Sequence, residues 1–378
     1  MSRQSPGGHE IRTARENAED AEKGLMMNSR ERILKTLRHE EPDRVPIQDA
    51  PWPSTISRWQ KEGLPAEIPV DEYFGYEMAL FWPELTPRSP IRVLKCTDEF
   101  IIETTAFGGV RRNFRDLSTT PEVVEWPIKT RADWDAIKER LTPDFTRVDW
   151  VTGLANFQRA QADGKYICFA APMGYDHFQS YIKSEELLVL IITEPDWARD
   201  MFSTHARLAM QMAEMMMANG FTFDGAFLFD DMGYRNSSLF SPETYRDVLF
   251  DSHKMLTDFC HAHNLPVILH SCGCVKGLIP HLIDAGFDCL QPLEVKAGMD
   301  IIELKKQYGE RIAFMGGIDV RAMADPNLAI IEEEIRRKFE VAMPGGGYIY
   351  HSDHSIPKNV SFEQYKRTIA LVRQYGDY

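Results

Sequence analysis

The chain has 378 residues, 43% of them hydrophobic, and 57 acidic against 43 basic side chains give a formal net charge of -14. That is enough apolar material for a large core, while an acidic surface with interspersed charges repels a phosphate backbone and argues against nucleic acid as a partner. No apolar run approaches the roughly 18 residues of a membrane span, and six scattered cysteines are unlike the dense framework of a small secreted domain. A cytoplasmic protein is expected.

In chain order, MSRQSPGGHEIRTARENAEDAEKG is polar, without apolar periodicity and without the apolar core of a signal peptide. Residues 1–27 are therefore expected to be a disordered extension, with a start at Met26 or Met27 as an alternative. Order is expected from Asn28 or Ser29, either of which can cap a short helix. A first strand is expected near residues 45–49. The 45–135 region, rich in Pro, Trp and Phe, otherwise reads as irregular, with a hairpin around Gly108-Gly109 in IRVLKCTDEFIIETTAFGGVRRNF.

From residue 160 the pattern is regular. Strand-like runs are YICFAAP (166–172), GAFLFDD (225–231), PVILHSC (266–272), CLQPLE (289–294), IAFMGGID (312–319) and GGYIYHSD (346–353). Amphipathic stretches at 184–219, 242–263, 275–285, 300–308 and 327–342 alternate with them. Ser241, Pro242 and Glu243 form a helix-start signal, and Gly286 and Gly309 stand where C-terminal caps belong. Strand–helix alternation without hairpins implies a parallel sheet. No GxGxxG follows an early strand, so the chain reads as a single (β/α)8 barrel with an irregular N-terminal region, spanning residues 28–378.

In such a barrel the chemistry lies at the C-terminal ends of the strands. The polar residues there are Asp230, Asp231, His270, Cys272, Glu294, Asp319, His351, Asp353 and His354. Each carboxylate also has a plain reading as a helix cap. The stretch HSCGCVKG is sharper: His270 and Cys272 are two apart on a strand, so their side chains share one face and make a chelating pair for zinc. Cys274 is either a spare ligand or a bystander. A third ligand must come from elsewhere, and YHSDHS offers His351, Asp353 and His354. Otherwise HSCGCVKG is a strand end with incidental sulfur.

The order and spacing of NSRERILKTLRHEEPDRVPI, DDMGYRNSSLFSPETYRDVLF, LHSCGCVKGLIPHLIDAGFDCLQPLEVKAGMD, MGGIDV and GGGYIYHSDHSIP resemble the uroporphyrinogen decarboxylase superfamily from about residue 28 onward. The resemblance implies one (β/α)8 barrel and either of two chemistries, porphyrinogen decarboxylation or zinc-dependent methyl transfer to or from a corrinoid. The decarboxylase branch binds its polyanionic substrate with an RQAGR element near the first strand. Here DRVPIQDAPWPSTISRWQKEGLP carries Arg58, Lys61, Trp52 and Trp59 instead, which argues against that substrate. The methyltransferase branch implies a His-x-Cys pair, matched by His270 and Cys272, and a distant cysteine, where this chain has His354. The expected site is thus His270, Cys272 and His354 on zinc, with Asp230, Asp231 and Glu294 as catalytic carboxylates. A small methyl donor or acceptor and a corrinoid protein are the implied partners. A carboxy-lyase on the same barrel and a barrel that only binds a ligand are the competing readings.

Overall fold

The structure is a computed structural model that describes residues 27–115 and 121–378; the extension expected to be disordered lies, Met27 apart, outside the described residues. Its strands are β1 (Met78–Phe81), β2 (Val93–Cys96), β3 (Phe100–Thr104), β4 (Val110–Phe114), β5 (Glu122–Glu125), β6 (Tyr166–Pro172), β7 (Gly225–Phe229), β8 (Val267–His270), β9 (Cys289–Gln291), β10 (Ala313–Met315) and β11 (Tyr348–Ile349). β1 and β6–β11 make a seven-stranded parallel sheet in the order β1-β6-β7-β8-β9-β10-β11, with helices in the crossovers. β2–β5 form a separate antiparallel sheet whose β3–β4 turn contains Gly108 at φ 101°, the expected hairpin.

Apart from β1, three of whose residues are partly exposed, the strands of the parallel sheet are largely buried on both faces, as crossover helices require, and the period of two sorts their side chains. Tyr166, Cys168, Phe227, Ile268, Cys289, Ala313, Met315 and Ile349 form one cluster, closed at one end by Ile33 and Leu37 from the helix Ser29–Leu37. Their neighbours Ile167, Phe169, Leu228, Leu269, Leu290 and Phe314 belong to the larger cluster with the surrounding helices. The register pairs Phe229 with His270 and His270 with Gln291, so these three side chains stand in a row on the inner face.

The strand expected near residues 45–49 is reduced to a single bridge between Ile47 and Tyr350. Pro46 has no N–H, so the ladder cannot extend through it. The segment still bonds both sheet edges: Tyr350 N donates to Pro46 O at 2.9 Å, Gln48 N to Tyr350 O at 3.1 Å, and Glu77 N to Ile47 O at 3.0 Å. The first full strand is β1, within the stretch read as irregular.

Helix signals were local and correspondingly legible. Asn28 and Glu31 form a capping box, and Ser241 accepts from Thr244 N. The 184–219 stretch divides into Ser184–Thr193 and Pro195–Ala218, since Pro195 cannot continue the preceding turn. Gly286 ends its helix at φ 98°, whereas Gly309 stays right-handed at φ -64°. Among the described residues no helix is long and apolar enough to cross a membrane.

Candidate active site

At the C-terminal ends of the strands the inner face changes from apolar to polar. Alternation carries Ile268 to His270, Cys289 to Gln291 and Ile349 to His351, all turned toward the same opening. Together with Trp52, Leu80, Phe227, Phe229 and Met315 they border a cavity of about 310 Å3. A second cavity of about 530 Å3, bordered by Arg235, Lys296 and Glu294, meets the first at Cys272.

Hydrogen bonding determines which nitrogen of His270 faces that opening. The Ser352 carbonyl can only accept, so His351 Nδ1 at 2.7 Å carries a proton. His351 Nε2 then accepts from the Gln291 amide at 3.3 Å, which leaves the Gln291 carbonyl oxygen to accept from His270 Nδ1. His270 Nε2 is left with its lone pair toward the cavity, 3.4 Å from Cys272 Sγ and 3.4 Å from Asp231 Oδ1. Burial holds the His270 imidazole below its ordinary pKa and hence neutral. A neutral imidazole whose far nitrogen is held by a second group is the usual form of a metal-ligating histidine.

Potential donors fall into two overlapping triads, Asp231–His270–Cys272 and Cys272–Glu294–His354, the atoms of each lying within 4.8 Å of one another. Cys272 is common to both, while His270 and His354 do not share one. Burial pushes the Cys272 thiol up, and the carboxylates of Asp231 and Glu294 push it further. A divalent cation among them removes that repulsion, so the donor set fits zinc in both chemistry and charge.

The three candidates at the last strand separate clearly. His351 is 3% exposed and engaged by Gln291 and Ser352. Asp353 accepts from Val295 N at 3.0 Å and Val320 N at 2.9 Å, pinning two loops. His354 borders the cavity, with Nε2 3.9 Å from Glu294 Oε1. Cys274 is buried and belongs to the core cluster, and Asp319 caps the helix Val320–Met323 through Arg321 N.

The adjacent aspartates separate for the same reason of alternation. Asp231 follows Phe229 on the inner face, and its Oδ1 accepts from Cys272 N at 2.7 Å. Asp230 follows Leu228 on the outer face and is fully buried. Its oxygens take His253 Nε2 at 3.0 Å and Asp176 N at 2.8 Å, and Tyr245 holds the other nitrogen of His253 at 3.0 Å. Asp230 therefore supports the wall behind the site, away from the cavity where a catalytic carboxylate was expected. Replacing His253 with alanine strands that carboxylate and is expected to lower stability by about 3 kcal/mol or more. Urea unfolding measures this.

Two contributors escaped sequence reading. Gln291 orients His270, and its only signal was a polar residue on the inner face of an otherwise apolar strand. Asp176 lies next to the two aspartates; burial, then Asp231 and Asp230, raise its carboxyl to about 7, where a carboxyl can give or take a proton at neutral pH.

Comparison with known proteins agrees with this architecture. The chain is 29% identical over 137 residues to "Methylcobamide:CoM methyltransferase MtaA" from Methanosarcina barkeri, a match that spans 36% of this chain and 38% of that relative's length. A solved methyltransferase from Methanosarcina mazei superposes with a TM-score of 0.65 at 16% identity, over 92% of this chain and 99% of the other, and so shares its fold. β4 and all later strands fall within residues 102–375, which match the family described as "Uroporphyrinogen decarboxylase (URO-D)", and it is to this family that the chain belongs.

Proposed function

We propose that residues 28–378 form one (β/α)8 domain that acts as a zinc-dependent methyltransferase, moving a methyl group between a small molecule and a corrinoid, free or on a partner protein. The eighth stave of the barrel is the 46–48 segment, on the strength of its bonds to Tyr350 and Glu77. The observation that carries the functional reading is the lone pair of His270 Nε2, fixed by the Gln291–His351–Ser352 chain and directed at Cys272. His270 and Cys272 hold the metal with Asp231, the donors that already lie together, and His354, which lies with Cys272 and Glu294, moves toward His270 to complete the set. Zinc bound there supplies Lewis acidity, lowering the pKa of a substrate thiol or alcohol. The chain's own part is to hold His270 neutral, present the Cys272 sulfur between two carboxylates and keep apolar walls around the reacting group. Asp231 and Glu294 are the carboxylates within reach of that group, and Lys296, 3.4 Å from Glu294, offsets one of them. The methylcobamide activity of the Methanosarcina barkeri relative supports corrinoid chemistry. A cytoplasmic setting is part of the same reading.

A metal-free carboxy-lyase acting on a small acid is the second reading, in which the Asp176 carboxyl, near 7, would move the proton, but Asp176 borders neither cavity. That reading is weakened by the cavity itself, which among the described residues is bordered by no lysine or arginine to hold a carboxylate. Elemental analysis of protein purified without chelators tests the choice. About one zinc per chain, with methyl transfer between a methylated corrinoid and a thiol, is expected. A chain that neither contains zinc nor can be loaded with it overturns the reading in favour of the lyase.

A further inference from the structure

We propose that the inner cavity binds a neutral, single-ring aromatic ether or thioether, and that an anionic group on the ring is excluded from it. The proposal rests on the methyl-transfer reading and adds its substrate class. Three observations carry it.

The first is the lining. Trp52, Leu80, Phe227, Phe229 and Met315 give the cavity an apolar wall, with His270 and Cys272 at one side. The Phe229 ring lies 4.8 Å from Phe227, stacked, and 5.0 Å from the His270 ring. An aromatic ring set against Phe229 continues that series of rings, and its heteroatom then points to the His270–Cys272 side. The second is size. A cavity of about 310 Å3 is roughly twice the ~150 Å3 apolar cavity that accommodates benzene, which leaves room for one ring and a few substituents.

The third is charge. Among the described residues that border the cavity there is no lysine or arginine, and Asp231 contributes a carboxylate. An anionic group on the ring, turned away from the metal and toward the phenylalanines, loses its hydration and gains no cation in return. Arg235 and Lys296 lie at the other cavity, on the far side of Cys272, so charge on a second substrate has its place there and not against the phenylalanines.

Calorimetric titration of the full chain with anisole and with 4-methoxybenzoate, alongside zinc analysis of the same sample, tests the proposal. Anisole is expected to bind saturably at submillimolar concentration, and 4-methoxybenzoate at least tenfold more weakly. Phe229→Leu should weaken anisole about threefold to tenfold. Should that variant fold poorly, the comparison of the two probes on the unmodified protein still decides. Equal or tighter binding of 4-methoxybenzoate, or no saturable binding of anisole, overturns the substrate class. If zinc is bound and anisole is not, only the substrate class fails. Anisole bound by a chain that takes no zinc supports this cavity assignment and overturns the metal reading instead.

Discussion

Cys272→Ala is expected to reduce bound zinc to a small fraction of one per chain and to abolish methyl transfer, while leaving the fold intact. Cys272 is the only residue common to both donor triads and supplies the single thiolate of the set. Structural zinc sites contribute about 10–16 kcal/mol in all. Spread over four donors, that is about 3 kcal/mol each, or roughly a hundredfold in affinity. Removal of the shared sulfur disturbs both triads together, so the loss should be at the upper end. Gln291→Leu, which leaves every ligand in place but frees the His270 ring to turn, should weaken zinc about 10–100-fold. Competition with a chromogenic chelator measures both variants on one scale.

The same experiment has a pH arm with a definite sign. Burial and two carboxylates hold the Cys272 thiol protonated over the neutral range, so zinc must displace that proton. Affinity is therefore expected to rise about tenfold per pH unit across roughly pH 6–8, and Cys272→Ala should flatten the slope. Wild-type zinc content in Cys272→Ala would place the metal elsewhere and return HSCGCVKG to a strand end with incidental sulfur.

Much of this site could be read from period-two alternation. It set His270 and Cys272 on one face, and carried one step upstream it also separates Asp231 from Asp230. The sequence reading treated that aspartate pair as a unit, and the pair instead spans both faces of one strand. Gln291 was missed because its role depends on strand neighbours: it lies beside His270 through the β8–β9 register and reaches His351 across the opening. The choice among His351, Asp353 and His354 was illegible for a related reason. The sequence places all three in one loop, and only backbone partners at Ser352, Val295 and Val320 show which two are already occupied. In the fold, β1 escaped because Met78–Phe81 is four residues long in a Pro- and aromatic-rich region, whereas its place is set by pairing with Tyr166–Phe169 far along the chain. The helix starts at Asn28 and Ser241, which depend on three or four consecutive residues, were read with less ambiguity, although the break at Pro195 within 184–219 was not.

Glu77→Ala is expected to be the most destabilising single substitution near the sheet's junction, costing about 3–5 kcal/mol. Glu77 is 2% exposed and immediately precedes β1. Its carboxylate accepts from Arg32 Nη1 at 2.5 Å, Arg44 Nη1 at 2.7 Å and Ile47 N at 2.8 Å. One side chain thus ties the helix Ser29–Leu37, the 44–48 segment and β1 together where Pro46 keeps the backbone ladder from doing so. Removing it leaves Arg32, itself 2% exposed, with Asp43 as its one acidic partner among the described residues, and truncating one member of a buried ionic cluster typically costs that much. A fall of about 4–7 °C in the thermal midpoint corresponds. Hydrogen exchange should localise the damage, with the amides of Ile47, Gln48 and Tyr350 losing protection first. The consequence reaches the site through Asp49, next along the same segment. Asp49 accepts from the Ser352 hydroxyl and from Tyr350 and Tyr365 at 3.2 and 2.9 Å. A loosened 46–49 segment would release Ser352, and with it the carbonyl that sets the proton on His351, so zinc affinity should fall as well. Loss of stability with unchanged zinc affinity would show that the strand ends hold their geometry without this junction.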